Sequence, residues 1–463
     1  MRRRKGHTRA LLPALSVTAL LLAAGCSSPA AQAHRPASEP SRTRTSQAPE
    51  ATDRPLTVAA ASAGTATATA SPGGSGGRAR PTTLSVSSYD SKTRRAVISP
   101  ESGASSSPTP GATRTPRPAA VGDVIASTPA PGAPRGLLAK VTKVVGETDA
   151  GTEVQTAPAT LDALLGDDTA RGTVPVDPAA FDVDTLLPDV DVSWTKAGDV
   201  HVGPEGAEVP LGSLRLDVRA DVATAPGAPA SADASVSGYV QVAPQVDFRY
   251  GGQGTGAAPD SAYLGVSGDW TSGWALKGRA AASTTTPLRI PFAKLHADPV
   301  LQVGPLPVVV NLDLTCYFQV SADGTVTVDV EQDLKGDFAA GGTFGPDRGW
   351  TPVSSADMTS TPVRTSVTAA GKVKAALGAE ASVGLYGAVG VTADLAPYVR
   401  ADASGRVTTD SADAAWAVYG GVDLSGTLRL QLSVFGTPVF QRSIPLGALN
   451  REWKLASGGT PQA

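Results

Sequence analysis

From residue 190 onward, apolar side chains recur at every second position. Leu214, Leu216, Val218, Ala220 and Val222 alternate with Arg215, Asp217, Arg219 and Asp221, while Val236, Val240, Val242, Val246, Phe248 and Tyr250 stand opposite Ser237, Gln241, Gln245, Asp247 and Arg249. The same period carries Leu264, Val266, Trp270, Trp274 and Leu276, then Val308, Val310, Leu312, Leu314, Cys316, Phe318 and Val320, then Val326, Val328 and Val330. Successive side chains of a strand point to opposite faces, so each run predicts an antiparallel-type strand with one dry and one wet side. The longest run spans 373–401, with Val, Leu, Ala, Gly or Pro at odd positions and Lys372, Lys374, Glu380, Ser382, Tyr386, Thr392, Asp394, Tyr398, Arg400 and Asp402 at even ones. One straight strand of that length would approach about 100 Å, so the run must fold back. A two-residue hairpin would flip the parity, and the parity is kept, which requires an odd-length loop or a bulge between Gly384 and Gly390. Further turns are expected at Ala322-Asp323-Gly324 and Ala403-Ser404-Gly405. Helical periodicity is nearly missing after residue 170. The prediction is all-β: a large antiparallel β-sandwich or flattened barrel over 190–456, with a short disordered tail at 457–463. Small side chains on the dry side of 373–401 favour close sheet packing over a wide cavity.

Upstream the pattern is denser and shorter. Leu84-Ser85-Val86 and Ala96-Val97-Ile98 flank Tyr89-Asp90-Ser91-Lys92-Thr93 as a hairpin, and short strands follow around Val124-Ile125, Lys140-Val141-Thr142-Lys143-Val144-Val145 and Glu153–Thr156. Ala159 to Leu165 read as one or two helical turns. Together, 82–170 predict a small β-barrel-like module with a short helix, joined to the large domain by an acidic linker at 171–189. Between residues 121 and 164 the pieces Gly122-Asp123-Val124-Ile125, Gly136-Leu137-Leu138 and Lys140-Val141-Thr142 resemble a module that recurs in large exported and surface proteins of bacteria. That resemblance implies a location outside the cell and carries no activity.

Composition changes the picture at the N-terminus. Residues 27–81 are Ala, Ser, Thr, Pro and Gly with few large apolar residues, too little to offset the entropy of ordering, and they predict a disordered tether. Gly73-Gly74-Ser75-Gly76-Gly77 fits the G-x-S-x-G spacing of a nucleophile elbow only formally, because it lies in this tether and not between a strand and a helix. Before it, Arg2, Arg3, Arg4, Lys5 and Arg9 precede an apolar stretch too short to cross a bilayer comfortably, the layout of a signal peptide over 1–26. Leu22-Ala23-Ala24-Gly25-Cys26 resembles the lipobox of bacterial lipoproteins, which implies that Cys26 takes a diacylglyceryl anchor and that the chain is exported and held on the outer face of the membrane, or secreted if Cys26 is not lipidated. The net charge of −3 then becomes about −8, since loss of those five cations leaves 34 basic against 42 acidic residues. No basic stripe follows residue 26, so nucleic acid is not an expected partner. Membrane contact through the anchor, and cell-wall or extracellular carbohydrate or protein, are.

Candidate chemistry is sparse. Of four histidines only His201 and His296 fall in folded sequence, without metal-type spacing, and both read as surface or loop residues. With Cys26 at the processing site, Cys316 has no evident disulfide partner, and its parity places the thiol in the core, where it is inert. Asp182, Asp184, Asp189 and Asp191 form one acidic cluster that could hold calcium, although the D-x-D-x-D-G loop is missing. Trp270, Trp274 and Trp416 lie on the dry parity, while Tyr239, Tyr386 and Tyr398 lie on the wet one and are the exposed aromatic candidates for ligand contact. No cofactor and no catalytic residue is expected. The leading expectation is a non-catalytic, lipid-anchored surface protein with an adhesion, envelope-structural or carbohydrate-contact role. Two alternatives are a carrier of apolar ligands between the sheets and a carboxylate-based hydrolase of envelope or extracellular polysaccharide.

Overall fold

The computed structural model describes residues 55–61, 67–70, 79–100, 118–187, 190–195, 201–203, 206–208, 213–223, 231–252, 259–281, 287–360, 364–368, 371–407, 412–437 and 443–459. Cys26, His34 and Asp189 lie outside them. Most of the described residues are in strands, and helix is confined to Asp162–Leu165 and to 3₁₀ turns at Pro178–Ala180 and Leu430–Phe435. The all-β expectation is met.

The upstream module is a seven-stranded sheet in the order Arg80–Pro81, Ala68–Ala70, Val124–Ser127, Leu137–Thr148, Gly151–Pro158, Arg95–Pro100, Leu84–Asp90. Its hairpin sets Val86 opposite Ile98, and the Asp90 carboxylate closes the turn by accepting from the Lys92 N–H at 2.9 Å and the Thr93 hydroxyl at 2.7 Å. Ile98, Ile125, Leu137, Val141 and Val154 form its core. Three strands, Leu56–Ala60, Ala68–Ala70 and Arg80–Pro81, fall inside the stretch whose composition predicts tether. They form because neighbouring strands supply both pairing and cover: Thr69 lies opposite Ile125 with Ala68 and Ala70 buried on either side, and Val58 lies opposite Val303 with its side chain packed against the core.

The large domain is a closed, flattened barrel with two broad walls. The front wall holds Val190–Thr195, Ser213–Ala223, Ser231–Gly251, Ser261–Ala281 and Gly349–Ser360; the back wall holds Asp182–Thr185, Leu288–Ala297, Gly371–Leu385, Ala388–Val407, Ala412–Arg429 and Leu449–Gly459. One 40-residue strand, Leu306–Gly345, belongs to both. At roughly 3.3 Å per residue its contour is about 130 Å. Its first half pairs with Leu288–Ala297 and Gly371–Leu385, and its second half with Ser261–Ala281 and Gly349–Ser360. The turn expected at Ala322-Asp323-Gly324 is therefore corrected to mid-strand: Gly324 pairs with Gly371 and Thr325 with Ala281, so the chain crosses from back to front wall there without reversing. Ala403-Ser404-Gly405 likewise stays paired within Ala388–Val407, up to Val407 opposite Ala412. The segment 171–189 is no linker over its described length, because Thr169–Pro175 and Asp182–Thr185 are barrel strands.

The fold-back in 373–401 follows the parity argument closely. Leu385 and Ala388 close a hairpin over Tyr386 and Gly387, both at positive φ, and the register shifts just beyond, between Val383 and Gly384. That bulge restores the parity which a two-residue turn would flip. The dry side is buried as expected, with Leu214, Leu216, Val246, Phe248, Leu264, Val266, Trp270, Val310, Leu312, Phe318, Leu377, Val383, Val391 and Val399 in the core. Each large apolar side chain so placed contributes about 1.5–3 kcal/mol from removal of its surface from water.

Candidate functional site: an outer groove among aromatic stacks

The outward side of the walls carries repeated four-part stacks. A glycine on one strand faces a tyrosine on the next, the ring lies flat over it, a cation covers the ring, and a carboxylate holds the cation or the hydroxyl. Tyr317 is the register partner of Gly378 and Tyr398 of Gly421. Arg289 sits 3.5 Å above the first ring and Lys374 3.6 Å above the second. Arg289 is held by Asp394 at 3.1 Å and Glu380 at 3.0 Å, and the Tyr317 hydroxyl donates to Asp394. Lys374 is held by Asp423 at 2.6 Å, and the Tyr398 hydroxyl donates to Glu452 at 3.0 Å. On the front wall Tyr239 faces Gly273 under Arg215, which lies 3.7 Å above the ring. Cation–π contacts of this kind contribute about 0.5–2 kcal/mol, more where the ring is shielded from water.

These stacks correct the exposed-aromatic expectation. Tyr398 is 1% exposed, because a ring beside a glycine can lie down on the sheet and does so. Tyr239 is half-buried under Arg215. Tyr386 sits in the hairpin turn with its hydroxyl donating to the Pro307 carbonyl and its N–H to Val309. None of the three is an open sugar platform. Burial first, then hydrogen bonding to a carboxylate, pushes the Tyr317 and Tyr398 hydroxyls above the ordinary phenol range, so both remain donors. The Arg400 guanidinium, gripping Glu452 at 2.9 and 2.6 Å, holds that carboxyl below its usual range.

The calcium candidates are not drawn together where the structure describes them. Asp182 and Asp184 lie on a barrel strand opposite His296 and Lys294, and Asp191 lies opposite Asp217 on another. Among the described residues no His, Cys, Asp and Glu side chains gather to hold a metal. His296 is not a loop residue. It lies on Leu288–Ala297 with Nδ1 2.7 Å from Asp313 and Nε2 3.0 Å from Asp298, which also accepts from Asn311 at 2.6 Å. Burial alone would lower its pKa; the hydrogen bonds to Asp313 and Asp298 outweigh it and raise the value above 6.5. The folded state thus binds the proton more tightly than the unfolded chain. Its contribution to stability is complete below pH 6.5 and is lost as pH rises through the raised folded value. The thermal midpoint should fall by about 1–3 °C across that window, a small step because the pair is partly exposed. His296→Gln should flatten it, and an unchanged slope in the variant would remove the imidazolium from the account.

Cys316 is buried and free, and burial pushes its thiol up to about 12. It lines a cavity between the walls together with Leu216, Val240, Trp270, Phe292 and Leu377, of about 50 Å³. Ligand pockets for drug-sized molecules are roughly 300–1,000 Å³. This void holds a few atoms at most.

A larger, open depression of about 430 Å³ lies on the outer face of the back wall. Its floor is Ala415 and Ala417 with the backbone between them; Lys372, Asp402 and Ser404 line one side, Lys454 and Ser457 the other. Register builds it. Lys372, Asp402, Ala417 and Ser457 form one row across four strands, and Lys374, Arg400, Tyr419 and Lys454 the next. Alanine in the first row, beside long side chains in the second, leaves the hollow. Trp416, between the floor residues, packs its ring against the core instead. Sequence parity places Lys372 and Asp402 on the outward side but contains no sign that Ser457 and Lys454 join them. No family model matches the chain, and no curated protein is significantly similar to it.

Proposed function

We propose that the chain is an exported, lipid-anchored surface protein without catalytic activity, whose barrel displays the groove over Ala415 and Ala417 for contact with carbohydrate. The groove is the observation that carries this reading. It is shallow, open along the sheet, floored by small residues and rimmed by a carboxylate, two hydroxyls and two ammonium groups, a mixture suited to the hydroxyls of a polymer laid across strands. The clustered carboxylates that a glycoside hydrolase would need free, Glu380 with Asp394 and Asp298 with Asp313, are engaged by Arg289 and His296. The small inter-wall cavity weighs against a carrier of apolar ligands. Filling the floor with Ala417→Trp should abolish co-sedimentation of the full chain with polysaccharide while leaving its thermal midpoint within about 2 °C, since the change is on the wet side. Retention equal to the unaltered protein would end the assignment of the groove. Cys26→Ser should move the protein from the membrane fraction to the medium; continued membrane partition would end the anchor.

A further inference from the structure

We infer that the groove selects acidic glycans, polymers whose sugar or polyol units carry phosphate or carboxylate, over neutral ones; this rests on the carbohydrate reading above. The argument begins with how cations on this face are disposed. Lys374 is bound to Asp423, and Arg400 to Glu452 and Asp402. Lys372 and Lys454, which rim the groove, are exposed and have no carboxylate within 4.0 Å among the described residues. Their backbones stand three strand spacings and one row apart, about 16 Å, which suits charges repeated along a chain better than one small anion. Charge alone would describe any polyanion. Asp402 narrows the class: one of its oxygens takes the Arg400 guanidinium, and the other, Oδ1, is buried without a hydrogen-bond donor. A buried acceptor left unpaired is costly, and a small turn of the partly exposed Asp402 side chain, bringing Oδ1 into the groove, would let a ligand hydroxyl satisfy it. Two unpaired ammonium groups flanking one orphaned acceptor therefore ask for a ligand that is both anionic and hydroxyl-bearing.

The test uses the purified full-length protein with polygalacturonate, poly(glycerol phosphate), neutral dextran and inorganic polyphosphate, by affinity electrophoresis at about 50 and about 200 mM salt. Retardation by the first two, weakened about tenfold or more by the added salt, is expected, with dextran at least tenfold weaker. Binding of only one acidic polymer identifies carboxylate or phosphate as the source and supports the inference equally. Lys372→Gln with Lys454→Gln should lower retention on acidic polymers about tenfold, a far larger loss than on dextran. Asp402→Asn should weaken the glycans and spare polyphosphate, with the near-ultraviolet dichroism unchanged. Dextran bound as well as polygalacturonate, with the double variant unaltered, overturns the charge selectivity while the carbohydrate reading stands. Polyphosphate bound as tightly as the glycans, with no effect of Asp402→Asn, reduces the groove to a plain basic patch and also overturns it. No retardation by any glycan overturns both.

Discussion

Phe435→Ala is expected to lower the unfolding free energy by about 3–5 kcal/mol, the usual range for emptying a buried aromatic site. Phe435 ends the 3₁₀ segment Leu430–Phe435, which follows the back-wall strand Ala412–Arg429 and turns across the end of the barrel. Its ring is fully buried, 5.8 Å from Phe248 and 5.6 Å from Trp350. Trp350 in turn lies 5.7 Å from Phe344, and its indole N–H donates to Thr437 at 2.8 Å. A single side chain thus ties the back-wall chain to two front-wall aromatics, and through Trp350 to a third, and offset or tilted pairs of this kind each add about 0.5–1.5 kcal/mol beyond area burial. The effect should reach the upstream module as well. Val434 accepts from the Leu161 N–H at 2.7 Å, so loosening this segment removes a joint between the two. Urea unfolding followed by tryptophan fluorescence measures the loss, and Phe435→Leu, which keeps most of the volume, should cost about 1.5 kcal/mol or less. An alanine variant within about 1 kcal/mol of the parent would mean that the end plug is not part of the cooperative core.

What the sequence reveals here is what a period of two contains. Parity needs no knowledge of partners, so Leu216, Phe248, Val266 and Val310 are readable as core from their own strands, and the bulge beside Gly384 follows from parity kept across the hairpin. Strand ends are less readable. Ala322-Asp323-Gly324 has turn composition, yet pairing with Val373 and Gly371 on one side continues directly into pairing with Ala281 on the other, and a continuous ladder outweighs local preference. Register between distant strands is not readable at all. That Tyr398 meets Gly421, or that Lys372 and Ser457 face each other across Ala417, depends on which residues stand opposite one another, and one sequence does not encode that in any local pattern.

Register also accounts for tyrosines of wet parity that lose contact with water, and it sets the second large expected effect. Gly421→Ala should destabilise the barrel by about 1–3 kcal/mol, the cost of adding a methyl where nothing can yield. The new Cβ would fall within 3.0 Å of the Tyr398 ring. A ring can usually swing aside from one methyl, but Lys374 covers the far face at 3.6 Å and Glu452 holds the hydroxyl at 3.0 Å. Gly378→Ala, under Tyr317 with Arg289 above and Asp394 at the hydroxyl, should behave alike. Gly146→Ala is the matched control, since an added Cβ there meets nothing within 4 Å, and should stay within about 0.5 kcal/mol. A double-mutant cycle separates this account from ordinary strand propensity. With Tyr398→Ala already in place, Gly421→Ala should cost less than about 0.5 kcal/mol, because the ring that the methyl would strike is gone. An equal cost in both backgrounds would refute the view that glycine is required at 421 as the bed of an aromatic ring, and with it the stacking rule drawn for this whole face.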